Sequence, residues 1–142
     1  MTNIKAFTCT LIGVTGGIIT KLFGGWSEDM VTLIVFMAVD FIMGLLLAGV
    51  FHKSNKSESG HLNSRAGWKG LCKKGVTLLF VLIAHRLDVS LNTEYIRTAT
   101  IIGFIANELI SIVENAGLMG VPLPEVITKA IEILKNKGEE EK

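Results

Sequence analysis

Residues Met30 to Phe51 read MVTLIVFMAVDFIMGLLLAGVF, an apolar stretch of 22 residues whose one charge, Asp40, falls near the middle. As a helix rising 1.5 Å per residue it is about 33 Å long, enough to cross a hydrocarbon core about 30 Å thick. Thirteen of its residues are Leu, Ile, Val or Phe. Each favours insertion by about 0.3–0.6 kcal/mol, against a cost of about 2.5–3.5 kcal/mol for a central Asp. The sum favours the bilayer, so the chain is read as an integral membrane protein. What remains to be explained is how Asp40 is accommodated.

Composition agrees. Mean hydropathy is +0.50 and 19% of the 142 residues are charged, too apolar a balance for an ordinary soluble surface. The net charge of +1 hides an uneven distribution: Lys53, Lys56, Arg65, Lys69, Lys73 and Lys74 lie together, opposed only by Glu58. A basic segment between apolar spans marks a cytoplasmic loop, a reading preferred to a nucleic-acid site. Cys9 and Cys72 are 63 positions apart and make neither a disulfide framework nor a metal motif. His52 and His61 have no Cys or carboxylate at ligand spacing and are expected to be solvated. No metal or cofactor is expected. The absence of a nucleophile elbow or phosphate loop speaks against an enzyme.

The pattern divides residues 1–142 into segments of one integral membrane domain. Residues 4–24 form a glycine-rich helix that spans or lies at the interface, with no cleavage site after it. In it Gly13 and Gly17 make a GxxxG pair on a face shared with Thr10, Thr20 and Gly24, suited either to self-association or to packing within the monomer. Trp26 suits the interfacial belt, and Ser27 is an N-cap for a span over 28–51. There Asp40, Gly44 and Ala48 share a face, and an intramembrane carboxylate needs water or a donor from another helix.

Residues 52–70 read as a flexible basic loop. A span over 71–91 follows, with an apolar core of nine residues, Val76 to Ala84, so that Lys73, Lys74 and Arg86 are expected to snorkel towards head groups. In the span 95–116, Ala99, Gly103 and Asn107 line one face, and Glu108, Ser111 and Asn115 the adjoining one. Gly117 is expected to end it. Gly120 to Pro124 is an extended break, leading to an amphipathic helix over 124–136 with an apolar stripe of Val126, Ile127, Ala130, Ile131 and Leu134. A charged tail fills 137–142. The expected fold is an all-α membrane protein of three or four transmembrane helices plus the amphipathic helix. With the basic loop inside, the C-terminus is also cytoplasmic.

Three stretches together resemble the toxin-secretion and phage-lysis holin family, over roughly Val31 to Leu134. They are Asp40-x-x-x-Gly44; Ser64-x-x-Gly67-x-x-Gly70-Leu71-x-Lys73-Lys74; and Glu108-x-x-Ser111-Ile112-x-x-Asn115 followed by Gly120-x-Pro122-x-Pro124. The resemblance implies a nonenzymatic phage protein that accumulates in the bacterial cytoplasmic membrane, forms homo-oligomers and opens lesions at a set time. Through these an endolysin, or in some relatives a toxin, leaves the cell. The implied partners are the bilayer, further copies of the chain, an endolysin that need not touch it and, where one exists, an antiholin.

On this reading Asp40, Asn107, Glu108 and Ser111 are pore-lining or assembly candidates, and Gly13, Gly17, Gly44, Ala48 and Gly103 are helix-packing positions. The expectation is that polar groups costly in lipid are satisfied only when copies assemble around water. A small ion or proton channel, and an antiholin or membrane scaffold, are the alternative readings.

Overall fold

A computed structural model describes residues 2–56 and 58–140. Five helices account for most of them: α1 (Thr2–Leu22), α2 (Glu28–Gly49), α3 (Ser64–Leu91), α4 (Ile96–Met119) and α5 (Glu125–Glu140). No strand occurs among the described residues, so the protein is all-α. Among the described residues three helices, α1 from Asn3, α2 and α4, are long and apolar enough to cross a membrane.

α3 is not one of these three. It is 28 residues long, but Arg65, Lys69, Lys73, Lys74, Arg86 and Asp88 lower its hydropathy. Its role follows from chain direction. Hydrogen-bonded partners in α4 or its first turn lie 70 to 75 residues beyond those in α2 or the turn before it, in one constant sense, so α2 and α4 run parallel. α3 pairs antiparallel to both: Lys74 with Asp40 and Glu108, Asp88 with Arg97. α3 therefore carries the chain back from the end of α2 to the start of α4.

Several boundaries differ from those read in the sequence. α3 starts at Ser64, so residues 64–70 of the expected loop are helical; Asn63 caps the start, its side chain accepting from the Arg65 N–H at 2.9 Å. α4 runs through Gly117 and stops at Gly120. There φ of 79° lets the backbone N–H reach the carbonyls of Ala116 and Gly117, a left-handed cap open to glycine. α5 continues to Glu140, four residues past its expected end, which leaves little of the expected tail; Glu141 and Lys142 lie outside the described residues. In its stripe Val126 is exposed, whereas the side chains of Ile131 and Leu134 lie outside the description.

The bundle is layered along its axis. At the α1–α2 turn, Arg97 donates from Nε to Phe23 O (2.7 Å), from Nη1 to Ser27 Oγ (3.0 Å) and from Nη2 to Gly25 O (3.1 Å). Next comes an apolar cluster of Met30, Leu33, Met37, Val81 and Ile101, backed by Phe23, Ile34, Leu78, Phe104 and Ile105. Beyond it lies a layer of charge, described below, and then an open cleft. Elsewhere the helices present Val35, Ile42, Leu79 and Phe80 outward, the inverse of a soluble surface and suited to lipid. Among the described residues, α1 touches only α3 of the other helices, and none of its apolar window is buried.

Candidate functional site

α2 places Asp40 on its inner face, α3 places Lys74 opposite, and α4 brings Glu108, Ser111 and Asn115 on one stripe at spacings of 3 and 4. The Lys74 ammonium donates to Asp40 Oδ2 at 2.9 Å and to Glu108 Oε2. The other Asp40 oxygen accepts from Ser111 Oγ at 2.6 Å and from Asn115 Nδ2 at 3.0 Å. The side chains of Asp40, Glu108 and Lys74 are 7%, 8% and 13% exposed. Among the described residues no buried side-chain polar atom lacks a partner.

One cation against two carboxylates leaves the cluster at −1 when both are ionised. The Coulomb attraction of such close charges is large in a low-dielectric layer, but so is their desolvation. The added donors from Ser111 and Asn115 are what make the burial tolerable.

This arrangement corrects two expectations. Lys74 does not snorkel to a head group; it turns inward because two carboxylates within reach in an apolar layer outweigh a path to the surface. The charges of Asp40 and Glu108 are also satisfied inside one chain, so assembly is not needed to partner them. Asn107 is exposed, whereas Glu108 and Asn115 are buried and Ser111 is partly so. Of the small residues, Ala48 is buried; a Cβ built at Gly13, Gly17, Gly44 or Gly103 would meet nothing within 4 Å.

On the connection side the charge layer opens into a cleft of about 600 Å3. α2 contributes Asp40, Gly44 and Ala48; α3 contributes the face that runs from Ala66 and Gly67 through Gly70 to Lys74 and Thr77; α4 contributes Asn107, Ser111 and Glu114. The missing side chains at Gly44, Gly67 and Gly70 make the room. The remaining wall is the 52–63 connection, closed at its neck by the Ser54 N–H donating to Gly60 O at 3.1 Å. Gly60 has φ of 73°, and a Cβ there would lie 2.5 Å from His52 O, so the neck requires glycine. His52 and His61 are exposed, as expected, and their rings also meet, tilted by 39° with centroids 4.2 Å apart, while His52 Nδ1 lies 3.1 Å from Ala48 O. Lys73, Gly67 and Gly70 line the cleft as well, whereas Pro122 and Pro124 lie far along the chain in the α4–α5 connection.

The opposite end holds a second buried group, which sequence reading missed. Asp88 accepts from Thr93 Oγ1 (2.6 Å), the Ile96 N–H (3.0 Å) and the Arg97 N–H (2.7 Å). It thereby caps α4, whose own N-cap, Tyr95, has no side-chain acceptor for this. The signal was Asp88 five residues before Thr93 at a helix–turn–helix junction. Ser27 precedes α2 as expected, but its hydroxyl serves Arg97 and caps nothing. Among the described residues no group of three or more His, Cys, Asp or Glu is placed to hold a metal.

The profile of a bacteriophage holin family matches residues 17–136. An uncharacterised protein of Listeria monocytogenes is 41% identical over 128 residues, covering 89% of this chain and 86% of that protein. One from Halalkalibacterium halodurans is 38% identical over 135 residues, 91% and 93% of the two chains. An uncharacterised 14.9 kDa protein in the nagH 3' region of Clostridium perfringens is 38% identical over 139 residues, 96% and 99%. No solved structure matches the chain. With 17–136 covering the charge layer, the cleft and both flanking turns, the chain belongs to the bacteriophage holin family.

Proposed function

We propose that the chain acts as a holin: it accumulates in the bacterial cytoplasmic membrane with the 52–63 connection and the C-terminus inside, assembles with further copies, and opens nonselective lesions through which an endolysin or a toxin leaves. The observation that carries this reading is a partnered charge layer buried between α2, α3 and α4 that opens on a cleft, inside a bundle whose outside is apolar. Such a bundle is stable as a single copy in lipid, so it can accumulate without leaking. The charges are then available to line water once copies gather and the layer is hydrated. Asn107, already on the exposed side of α4, is the polar group best placed to meet that water.

Assembly then draws on the unburied α1, with Gly13 and Gly17 open for close helix approach, and not on unsatisfied charge. The association equilibrium steepens with protein density in the membrane, which supplies a timing device. The family is nonenzymatic, and the chain needs no catalytic group for this role.

The test is inducible expression with an endolysin that lacks its own secretion signal. The expected result is a delay followed by abrupt loss of membrane potential and of culture turbidity. Accumulation in the membrane with no release of endolysin would overturn the reading and favour an antiholin or scaffold. Graded, ion-selective conductance would overturn it in favour of a channel.

A further inference from the structure

We propose that the cleft between α2, α3 and the 52–63 connection binds the phosphodiester of an anionic phospholipid, held by Lys56, Lys69 and Lys73. These three lysines line the cleft and are exposed, so they form its rim; none makes an ion pair among the described residues, and Lys56 acts on Asp40 only at longer range. Glu114 is the carboxylate that shares the rim, which leaves it at +2. The floor differs: Lys74 is committed to Asp40 and Glu108, so an anion is held at the rim and repelled from the floor. The first turn of α3, with Asn63, Ala66 and Gly67 on the cleft wall, adds the positive end of a helix.

Two features favour a lipid over a free anion. Phe41, Leu45, Leu62 and Ile110 also line the cleft, an apolar wall that a phosphate ion would not use and an acyl chain would. The depth fits as well. Lys69 and Lys73 lie five and nine residues inside α3, about 8 and 14 Å along its axis, where the flexible lysine stems reach back to head-group level. Asn63, Asn107 and Glu114 can accept or donate to the hydroxyls of a glycerol head group, which makes phosphatidylglycerol the ligand of choice. Basic pockets between membrane helices recognise anionic head groups on this principle.

The site is distinct from a diffuse basic surface, and it does not depend on lesion formation. A chain that binds phosphatidylglycerol but releases no endolysin keeps this site and loses only the holin reading. The experiment uses the full chain in an uncharged detergent, following thermal unfolding against added phosphatidylglycerol, phosphatidylcholine with the same acyl chains, and inorganic phosphate. Phosphatidylglycerol should stabilise saturably and phosphatidylcholine should not.

Replacing Lys56, Lys69 and Lys73 together by Gln should weaken the phosphatidylglycerol response about tenfold or more, while the pair Lys53→Gln and Arg65→Gln, outside the cleft, should change it less than about twofold. Lys69→Gln alone provides the same comparison if the triple variant loses its helical circular dichroism. Equal stabilisation by phosphatidylcholine, or equal loss in the control pair, would overturn the site. Inorganic phosphate reproducing the effect at the same concentration would assign the rim to a free anion and overturn the lipid.

Discussion

At the scale of single residues, Lys74 holds the centre of the molecule, and the two carboxylates it faces are not equivalent. Removing Lys74 leaves Asp40 and Glu108 buried side by side without the cation that bonds them both, and buried charge that loses its paired ion costs about 3–5 kcal/mol. Lys74→Met should therefore lower unfolding stability in detergent by about that amount, whereas combining it with Asp40→Asn and Glu108→Gln should recover most of the loss, since a neutral layer needs no counter-ion. A triple variant no more stable than Lys74→Met would show that the ion pairs do not govern this layer. Glu108→Gln keeps an acceptor for Lys74 and leaves Asp40 untouched, so it should cost within about 1 kcal/mol. Asp40→Asn cannot serve everyone: with its oxygen kept for Ser111 and Asn115, its amide turns a donor towards the Lys74 ammonium. It should cost more than Glu108→Gln, by about 1–2 kcal/mol in the same unfolding measurement. Equal effects would mean that Ser111 and Asn115 do not fix the orientation of Asp40.

At the scale of elements, α4 is built by its neighbours as much as by its own sequence. Its first turn is capped by Asp88 from α3, and its Arg97 reaches three acceptors in and around the α1–α2 turn. Asp88→Ala should leave the Ile96 and Arg97 amides open, and their hydrogen exchange should accelerate relative to amides mid-helix. Arg97→Lys, with one ammonium in place of a three-way fork, should loosen the same end; unchanged exchange in both would remove the cap from the account. These contacts also show where sequence legibility stops. α2 and α4 were readable because each carries its own apolar length, and the faces holding Asp40 and Glu108 followed from spacing alone. Lys74 was misjudged because hydropathy counts a charge singly, whereas its environment is set by residues 34 positions away on either side. Asp88 and Arg97 do not stand out in the sequence for the same reason: their partners belong to other elements. The stop at Gly120 in place of Gly117 turned on which glycine takes the left-handed conformation, a matter decided by the chain that follows.

At the scale of the whole molecule, the division of labour is between a bundle of α2, α3 and α4 that satisfies itself and a helix, α1, that does not. Ile4, Phe7 and Ile12 of α1 are 73%, 69% and 66% exposed, which lipid tolerates but does not organise, since apolar side chains gain nothing by leaving acyl chains for one another. Organisation requires close approach, and Gly13 and Gly17 offer it. Cys9 lies one helical turn before Gly13 on the same face, exposed and unpaired. If copies pair through that face, the two Cys9 sulfurs come within disulfide reach, which needs Cα atoms no more than about 7 Å apart. In a Cys72→Ser background, oxidation of membranes should therefore yield a disulfide-linked dimer. Adding Gly13→Leu and Gly17→Leu should reduce that dimer about fivefold, equivalent to about 1 kcal/mol of association. The same pair should not lower monomer unfolding stability, because among the described residues nothing beyond the helix's own backbone lies within 4 Å of either added Cβ, and replacing glycine within a helix favours it. Undiminished cross-linking would move the contact to another face, and a lowered unfolding temperature would mean that α1 packs on its own bundle.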